Sequence, residues 1–284
     1  MKAFLVYLAA VNVASLSAVF GETQTLTTWN LEWFPGRNPA PDFAHEAIQI
    51  SQVHEELEQL APDILLLQEV RDAESAELAV RILPGMKVQV VSDFPGQFGN
   101  GQQLVIASKT DPIESGTVSF PRFRGDPPRG FVFARYQLGD GQLLVYNVHL
   151  KSNNGGIAEN IPKREIAIRR FLAHCEKMKE RARKAGSGDL TIILGGDYNS
   201  DPSDPRFAAE KSTALLNDAG FRWALRDLAP KDRVTWPGNG TYPDACLDHF
   251  FYVPSKQIEI LEPKVHFGTE RVSDHRAVSL KLKF

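Results

Sequence analysis

The chain has 284 residues, of which 43% are hydrophobic and 24% charged, and its formal net charge is −3. These proportions are ordinary for a globular protein, so collagen-like and disordered classes are excluded. Two cysteines are too few for a disulfide scaffold. The mildly acidic balance also argues against a protein that coats DNA stoichiometrically.

The first 21 residues are expected to be a secretory signal peptide. Met1-Lys2 supplies a short cationic start, and the mostly apolar run of residues 3–20 carries no charge. This pattern, ending in small residues, is typical of such signals. A transmembrane anchor is the alternative, but no cation that could stop transfer follows until Arg37. We therefore expect a secreted domain of residues 22–284 without a stable membrane anchor.

Beyond this segment, short apolar strands alternate with amphipathic helices, which indicates a mixed α/β domain. No linker or repeat divides the chain. Asp140-Gly141 predicts a hairpin, and Ser203-Asp204-Pro205 predicts a helix start. The predicted helices cover residues 43–60, 72–83 and 162–185. The predicted strands cover residues 25–30, 63–68, 87–91, 103–108, 131–137, 142–149, 190–195, 247–253, 257–261 and 277–283.

Export would make the two cysteines, Cys175 and Cys246, candidates for a disulfide. Cys175 lies in a predicted helix and Cys246 just before a predicted strand. Nothing in the sequence shows that they meet. One disulfide and two separate buried thiols both remain open.

Polar residues occur at the ends of six apolar strands. An ionised carboxylate is not buried without a partner, so these residues need a cation, a histidine or water at a shared rim. One such residue is ordinarily a turn former or part of a surface pair, whereas six in separate motifs indicate a site. The residues are Asn30, Glu69, Asn147 with His149, Asp197 with Asn199, Asp248, and Asp274 with His275.

Six motifs contain these residues, in this order: Thr28-Trp-Asn-Leu, Leu67-Gln-Glu-Val70, Asn147-Val-His-Leu-Lys-Ser152, Gly195-Gly-Asp-Tyr-Asn-Ser200, Leu247-Asp-His-Phe250 and Ser273-Asp-His-Arg276. The set resembles the endonuclease/exonuclease/phosphatase superfamily, which has the deoxyribonuclease-I-like fold. The resemblance covers residues 28–276. It implies an α/β four-layer sandwich, in which two packed mixed β-sheets are flanked by helices and the site lies at one end of the sheets.

The family hydrolyses phosphate esters with a divalent cation, so the resemblance implies a metal-dependent phosphoesterase. We expect Mg²⁺, with Mn²⁺ or Ca²⁺ as alternatives, because the chain offers hard oxygen ligands and no zinc-type Cys-His cluster. Glu69 would be the main metal ligand, with Asn30 and Asp274 near the same ion. The catalytic residues would be His149, Asp197, Asn199, Asp248 and His275, and the substrate-binding residues Arg129, Asn147 and Lys151.

The chemistry of these residue types fits metal-assisted, in-line attack of water on phosphorus. By the resemblance, Asp197 and Asn199 would hold the water and a phosphoryl oxygen, and His149 would face the phosphate. An aspartate behind a histidine fixes its tautomer and raises its basicity, which is the role expected of Asp248 toward His275. Either Asp197 or the Asp248–His275 pair would accept the proton of the water.

Nucleic acid is the expected substrate, cleaved by a secreted endonuclease that acts on DNA, or on RNA, with little sequence specificity. A basic loop with Arg122, Phe123, Arg124 and Arg129 precedes a site-bearing strand, and such loops contact phosphates without reading bases. His149 argues against the abasic-site repair branch, which usually has tyrosine at this point. The basic helix 162–185 is interpreted as a solvated face.

Two other functions remain open. A secreted lipid-headgroup phosphodiesterase or phosphatase, similar to a sphingomyelinase, would need an exposed aromatic hairpin, for which 33–35 and 235–242 are the candidates. A catalytically inactive binding module with the same fold is a more remote alternative, because every expected catalytic position is filled. The segment 99–103 lacks the Tyr and Glu of pancreatic-type deoxyribonucleases, so no carboxylate partner for His149 is predicted. A monomer is expected.

Overall fold

The computed structural model describes residues 21–95, 102–121, 123, 125–186 and 190–284. The predictions that concern residues 1–20, 99–101, Arg122 and Arg124 lie outside the described residues. The described residues form four α-helices: α1 (Phe43–Leu60), α2 (Ala73–Val80), α3 (Ile157–Lys184) and α4 (Ser212–Asp218). The same residues form twelve strands: β1 (Thr23–Phe34), β2 (Ile64–Val70), β3 (Lys87–Val91), β4 (Gln103–Ser108), β5 (Glu114–Val118), β6 (Phe131–Leu138), β7 (Gly141–His149), β8 (Leu190–Asp197), β9 (Arg222–Trp223), β10 (Asp248–Val253), β11 (Glu259–Val265) and β12 (Val278–Lys283).

The strands form two mixed six-stranded sheets. The first has the order β11-β12-β1-β2-β4-β3, and the second has the order β5-β6-β7-β8-β10-β9. In each sheet the two central strands run parallel, β1 with β2 and β7 with β8, and the other described pairs are antiparallel. The expected four-layer α/β sandwich is therefore confirmed.

Alternation along the strands distributes the apolar residues among three layers of core. In β2, Leu66 points into the cluster between the two sheets, whereas Leu65 points outward into the cluster beneath α1 and α2. On the second sheet, Ile193 faces the inner cluster and Ile192 the cluster beneath α3 and α4. Because both faces of β2 and β8 are covered, these two central strands contain continuous apolar runs in the sequence.

Most predicted elements appear with shifts of a few residues, but two predictions were wrong. Helix α3 begins five residues before the predicted start and continues through Pro162, which costs one backbone hydrogen bond. The segment after Ser203-Asp204 forms a single 3-10 turn, Pro205–Phe207, although Asp204 caps it as expected by accepting from the Arg206 amide at 2.8 Å. The short strands β5 and β9 were not predicted, because both are edge strands with few apolar residues.

The two cysteines are separate buried thiols. Cys175 packs in the cluster beneath α3, and Cys246 packs in the cluster between the sheets. The alternative of a disulfide is therefore not what the fold forms. None of the helices in the described part of the chain is long and apolar enough to cross a membrane.

Candidate active site

Four of the predicted residues meet where the central strands of both sheets end. Asn30 donates from Nδ2 to Oε1 of Glu69 at 3.3 Å and to Oδ2 of Asp197 at 3.0 Å. The Nε2 atom of His149 lies 3.7 Å from Oε1 of Glu69 and 3.5 Å from Oδ2 of Asp197. Since β1 runs parallel to β2 and β7 parallel to β8, these residues reach the same end of the sandwich. One cluster thus joins the two sheets.

The backbone at this end is held in an uncommon conformation. Glu32, Trp33, Glu69 and Asn199 all have φ between 49° and 60°, the left-handed region that non-glycine residues rarely adopt. Each such residue costs roughly 1–3 kcal/mol, and such residues concentrate at functional sites. One consequence is that the Trp33 amide donates to Oε2 of Glu69 at 3.1 Å. The turned backbone therefore directs the Glu69 carboxylate toward the cluster.

Gly196 allows the two central strands of the second sheet to approach closely. A Cβ atom at this position would lie 2.0 Å from the carbonyl oxygen of Val148, and its φ is 135°. A side chain is excluded there by both effects. The glycine of this motif thus places Asp197 directly beside His149, its partner in the strand register.

Asp197 is a buried carboxylate with several hydrogen-bond donors around it. It accepts from the Asn199 amide at 2.7 Å and from Nδ2 of the same residue at 3.1 Å. Burial, assisted by the Asp248 carboxylate, raises the pKa of Asp197 to about 7, while His275 acts in the opposite direction. A carboxylate with this pKa can gain or lose a proton near neutral pH.

Asp248 and His275 form the buried pair that the sequence predicts. The Nδ1 atom of His275 lies 2.7 Å from Oδ2 of Asp248, and its Nε2 atom lies 3.8 Å from Oδ2 of Asp197. Burial lowers the pKa of His275, but the Asp248 and Asp197 carboxylates outweigh this and raise it well above the ordinary value. The imidazole is therefore held as a cation between two carboxylates.

His149 is in the opposite state. Burial, together with the nearby Arg129 guanidinium, lowers the pKa of His149 well below its usual value. Its Nδ1 atom is buried and has no hydrogen-bond partner among the described residues. No carboxylate therefore orients His149 from behind in the part of the chain that the structure describes. The pKa values of the two histidines are therefore shifted in opposite directions, a common arrangement in acid–base sites.

Glu69 and Asp274 are the residues best suited to hold a divalent cation. Burial raises the pKa of Glu69, and Asp274 acts in the same direction, whereas Arg129, His275 and the Asn30 hydrogen bond act in the opposite direction. Among the described residues, no lysine or arginine forms a direct ion pair with Glu69. A largely desolvated carboxylate without such a direct partner is costly, and a hard divalent ion would neutralise it with oxygen ligands. The residues present therefore fit an ion of the Mg²⁺ type.

Asn30 contributes differently from the prediction. Its Oδ1 atom accepts from the Glu32 amide at 3.0 Å, so its nitrogen, and not its oxygen, faces the carboxylates. This is the geometry of a residue that orients Glu69 and Asp197.

A second group of ligand-type atoms consists of Asp197, Asp248 and His275, which lie within 4.8 Å of one another. This group could also bind a metal. The Asp248–His275 hydrogen bond already explains why these atoms lie close together. In addition, a protonated imidazole cannot bind a metal. We therefore favour Glu69 with Asp274 as the metal-binding residues.

The three predicted substrate-binding residues occupy different places. Arg129 and Lys151 both line the cleft beside Glu69 and His149. Asn147 does not reach it: the side chain is fully buried, and its Nδ2 atom donates to the carbonyls of Leu67 at 2.8 Å and Val105 at 2.9 Å. The prediction for Asn147 needs correction, because this amide links the two sheets beneath the site.

Two residues that the sequence analysis did not select, Glu32 and Thr235, hold the backbone of this cluster in place. Glu32 accepts from the Asp274 amide at 3.0 Å. Thr235 Oγ1 accepts from the amides of Leu247 at 2.8 Å and Asp248 at 2.9 Å. Glu32 directly follows the motif of residues 28–31, and this position weakly indicated a role near the site. Thr235 lies 13 residues from Asp248, and nothing in the sequence connects the two.

The cleft consists of two cavities that meet at the cluster. A cavity of about 360 Å³ contains Arg129 and Lys151, and one of about 550 Å³ contains Asp197 and His275. The residues shared by both are Glu69, His149, Ser152 and Asn154. Glu69 and His149 thus lie at the border of the two cavities, each of which is large enough for part of a ligand.

A family model described as the endonuclease/exonuclease/phosphatase family matches residues 27–275, which include every motif that forms the cluster. The chain belongs to this family. Members of the endonuclease/exonuclease/phosphatase family are phosphoester hydrolases, so the match supports a hydrolase. No curated protein sequence matches the chain at a significant level.

Solved structures show the same fold at low sequence identity. A humanized TDP2 from D. rerio with 14 mutations superposes with a TM-score of 0.66 at 16% identity, covering 92% of this chain and 99% of that one. An endonuclease/exonuclease/phosphatase from Beutenbergia cavernae has a TM-score of 0.65 at 19% identity, with coverages of 92% and 72%. A D. rerio TDP2 complexed with a single-strand DNA product has a TM-score of 0.65 at 17% identity, with coverages of 92% and 99%.

Proposed function

We propose that this protein is a secreted, Mg²⁺-dependent phosphodiesterase that acts as a monomer, and specifically an endonuclease for DNA, or for RNA, with little sequence specificity. The observation that carries this proposal is the position of Glu69 and His149 at the border of two cavities. A phosphomonoester has a substituent on only one side of phosphorus. A diester inside a chain has bulky groups on both sides, which matches a cleft that extends both ways.

The charge of the cleft supports a polyanionic substrate. Arg129 and Lys151 line the smaller cavity, where they can contact the phosphate next to the reacting one. Such contacts position a nucleic acid but carry little information about its bases. A D. rerio TDP2 with the same fold is complexed with a single-strand DNA product, which supports nucleic acid as the substrate class proposed here.

The aromatic residues argue for nucleic acid over lipid. A lipid-headgroup enzyme would use an exposed aromatic segment at the membrane, but Phe34 is fully buried and Trp33 lines the cleft. Trp236 donates to Oδ2 of Asp274 at 3.2 Å. Of the two candidate segments, only Tyr242 is an exposed large aromatic, so neither has the character of a membrane-docking hairpin.

The proposed reaction is in-line attack of water on phosphorus, with Asp197 as the general base. Its pKa of about 7 suits proton acceptance near neutral pH, whereas His275 is already charged and suits stabilisation of the anionic phosphoryl group. A divalent cation on Glu69 and Asp274 would supply neutralisation of the phosphate charge. Water forms the new bond to phosphorus, its proton passes to Asp197, and the bond to the leaving oxygen breaks. A catalytically inactive binding module would not require this complete set of base, charge-stabilising and metal-binding residues.

The mature protein should be tested on plasmid DNA, RNA, bis(p-nitrophenyl) phosphate, p-nitrophenyl phosphate and sphingomyelin vesicles, with Mg²⁺ and with chelator. We expect DNA to be cleaved only with the metal, and the synthetic diester to be hydrolysed faster than the monoester. With two cationic phosphate contacts, DNA affinity should fall roughly tenfold between about 50 and 200 mM salt.

A His275→Ala protein purified in the same way controls for contaminating nucleases. Cleavage of sphingomyelin without cleavage of nucleic acid would replace the leading proposal with the lipid enzyme. Hydrolysis of the monoester alone would overturn the diester assignment.

Secretion rests on the pattern of residues 1–21. Expression of the whole chain in a secreting host should release a protein into the medium, and its mass should show that it begins at or near residue 22. Leu8→Arg, which places a charge in the apolar run, should retain the chain inside the cell. A released protein that keeps Met1 would contradict the proposal.

A further inference from the structure

One arginine of the basic helix α3 points inward. Arg164 is fully buried, and its guanidinium donates to both carboxylate oxygens of Glu210, from Nε at 3.1 and 2.9 Å and from Nη2 at 2.7 Å. Its Nη1 atom donates to the carbonyl of Lys151 at 3.0 Å and to Oδ1 of Asn153 at 3.0 Å. The interpretation of α3 as a solvated charged face therefore does not hold for Arg164.

These contacts lead directly into the active site. Asn153 accepts from Arg164 and donates from Nδ2 to the carbonyl of Asn199 at 2.9 Å. Asn199 in turn donates from its backbone and side chain to Asp197. A continuous line of hydrogen bonds thus runs from α3 to the carboxylate proposed as the general base.

The same arginine holds the loop that separates the two cavities. Lys151 and Asn153 flank Ser152, which lines both cavities. With its planar fork, Arg164 fixes the backbone on one side of Ser152 and the side chain on the other. A lysine could not donate in all these directions from one ammonium position.

Stability alone does not account for this arrangement. Burying an ion pair costs desolvation energy that its attraction only partly repays, so a buried pair is weak evidence for stabilisation. We propose that Arg164 and Asn153 are positioning residues, which set loop 151–154 and the Asn199 backbone relative to Asp197. This inference rests on the proposed hydrolysis at this site.

Asn153→Ala leaves the Arg164–Glu210 ion pair in place and removes only the link to Asn199. We expect it to lower kcat on bis(p-nitrophenyl) phosphate by roughly ten- to a hundredfold, as small misplacements of reacting groups do, with little change in KM or in thermal unfolding. Arg164→Lys should produce a similar loss. Because the two residues act in one line, the double variant should lose little more than either single variant.

Arg135→Lys is the matched control. Arg135 is a partly buried arginine that pairs with Glu114 at 3.0 Å and with Gln142, on a strand of the same sheet away from the cleft. It should leave kcat unchanged. Additive losses in the double variant, or an unchanged kcat in both single variants, would overturn the inference.

Hydrogen exchange separates this inference from the proposed function. In Asn153→Ala and Arg164→Lys, amides of residues 150–156 and 198–201 should exchange faster than in the wild type, whether or not the assay substrate is hydrolysed. An inactive wild type would refute the proposed function alone. Unchanged exchange in these two segments would refute the positioning role alone.

Discussion

Replacing His275 with alanine is expected to lower kcat by roughly a hundredfold to a thousandfold, the range that one electrostatic stabiliser of the developing charge contributes. The reason is that this imidazole, held as a cation between Asp248 and Asp197, faces the cleft where negative charge would develop. Hydrolysis of bis(p-nitrophenyl) phosphate at saturating Mg²⁺ measures the effect. Circular dichroism should show an unchanged fold.

His174→Ala is the matched control for this prediction. His174 is a half-buried histidine on α3 that forms a hydrogen bond with the Tyr146 hydroxyl at 3.1 Å and does not line either cavity of the cleft. It should keep wild-type kcat. Asp248→Asn should lose activity to a comparable extent as His275→Ala, and combining the two should add little, since they act as a unit. Retained activity in His275→Ala would remove this pair from the mechanism.

Replacing Glu69 with glutamine is expected to weaken Mg²⁺ binding and activity by more than about 100-fold, because even residues that only orient metal ligands cost up to that amount. Without metal, the variant should be at least as stable as the wild type, because burial disfavours the Glu69 carboxylate and raises its pKa. Calorimetric titration with Mg²⁺ measures the affinity. The substitution is therefore expected to weaken metal binding and activity without lowering the free energy of unfolding of the metal-free protein.

Thermal unfolding gives an independent measurement of the same site. Metal at 100 times its dissociation constant should stabilise the wild type by about 2.7 kcal/mol, and this gain should vanish in Glu69→Gln. Glu114→Gln, which alters a carboxylate paired with Arg135 outside the cleft, should keep the full gain. If Glu69→Gln gains as much stability from the metal as the wild type does, the metal site must instead be assigned to the group formed by Asp197, Asp248 and His275.

The positions of the side chains in this cluster could be predicted because chemistry and chain direction agree. Glu69, Asp197 and His149 each end an apolar strand, and parallel neighbours end at the same side of a sheet. Arg129 and Lys151 also reach the cleft as predicted. Asn147 does not: it stands two residues before His149, and side chains two apart on a strand share a face. Its side-chain amide instead donates to carbonyls of the other sheet. The sequence of β7 alone does not reveal these partners.

The roles that depend on partners from distant segments were not predictable. In the sequence, Arg164 is one of many basic residues of a helix interpreted as a solvated face. Its partner Glu210 lies 46 residues away, so only the folded structure shows the contact. The opposite pKa shifts of His149 and His275 likewise depend on burial and on neighbouring charges from other strands. The left-handed backbone at Glu69 and Asn199 is imposed by the surrounding contacts, since neither residue type requires it.

The sequence by itself determined the class of this protein: an α/β sandwich of a phosphoester hydrolase family, with its polar residues at strand ends. The alternation of strands and helices and the polar residues at strand ends follow from apolar periodicity and from the cost of burying carboxylates, both of which are local properties of the chain. The sandwich and the hydrolase family follow from the resemblance of the six motifs. The tertiary structure decided which of those residues meet, which one links the sheets, and that the cleft extends on both sides of the cluster. Hydrogen-bond partners, pKa values and cavities all arise from segments that are far apart in sequence, and only packing brings such segments together.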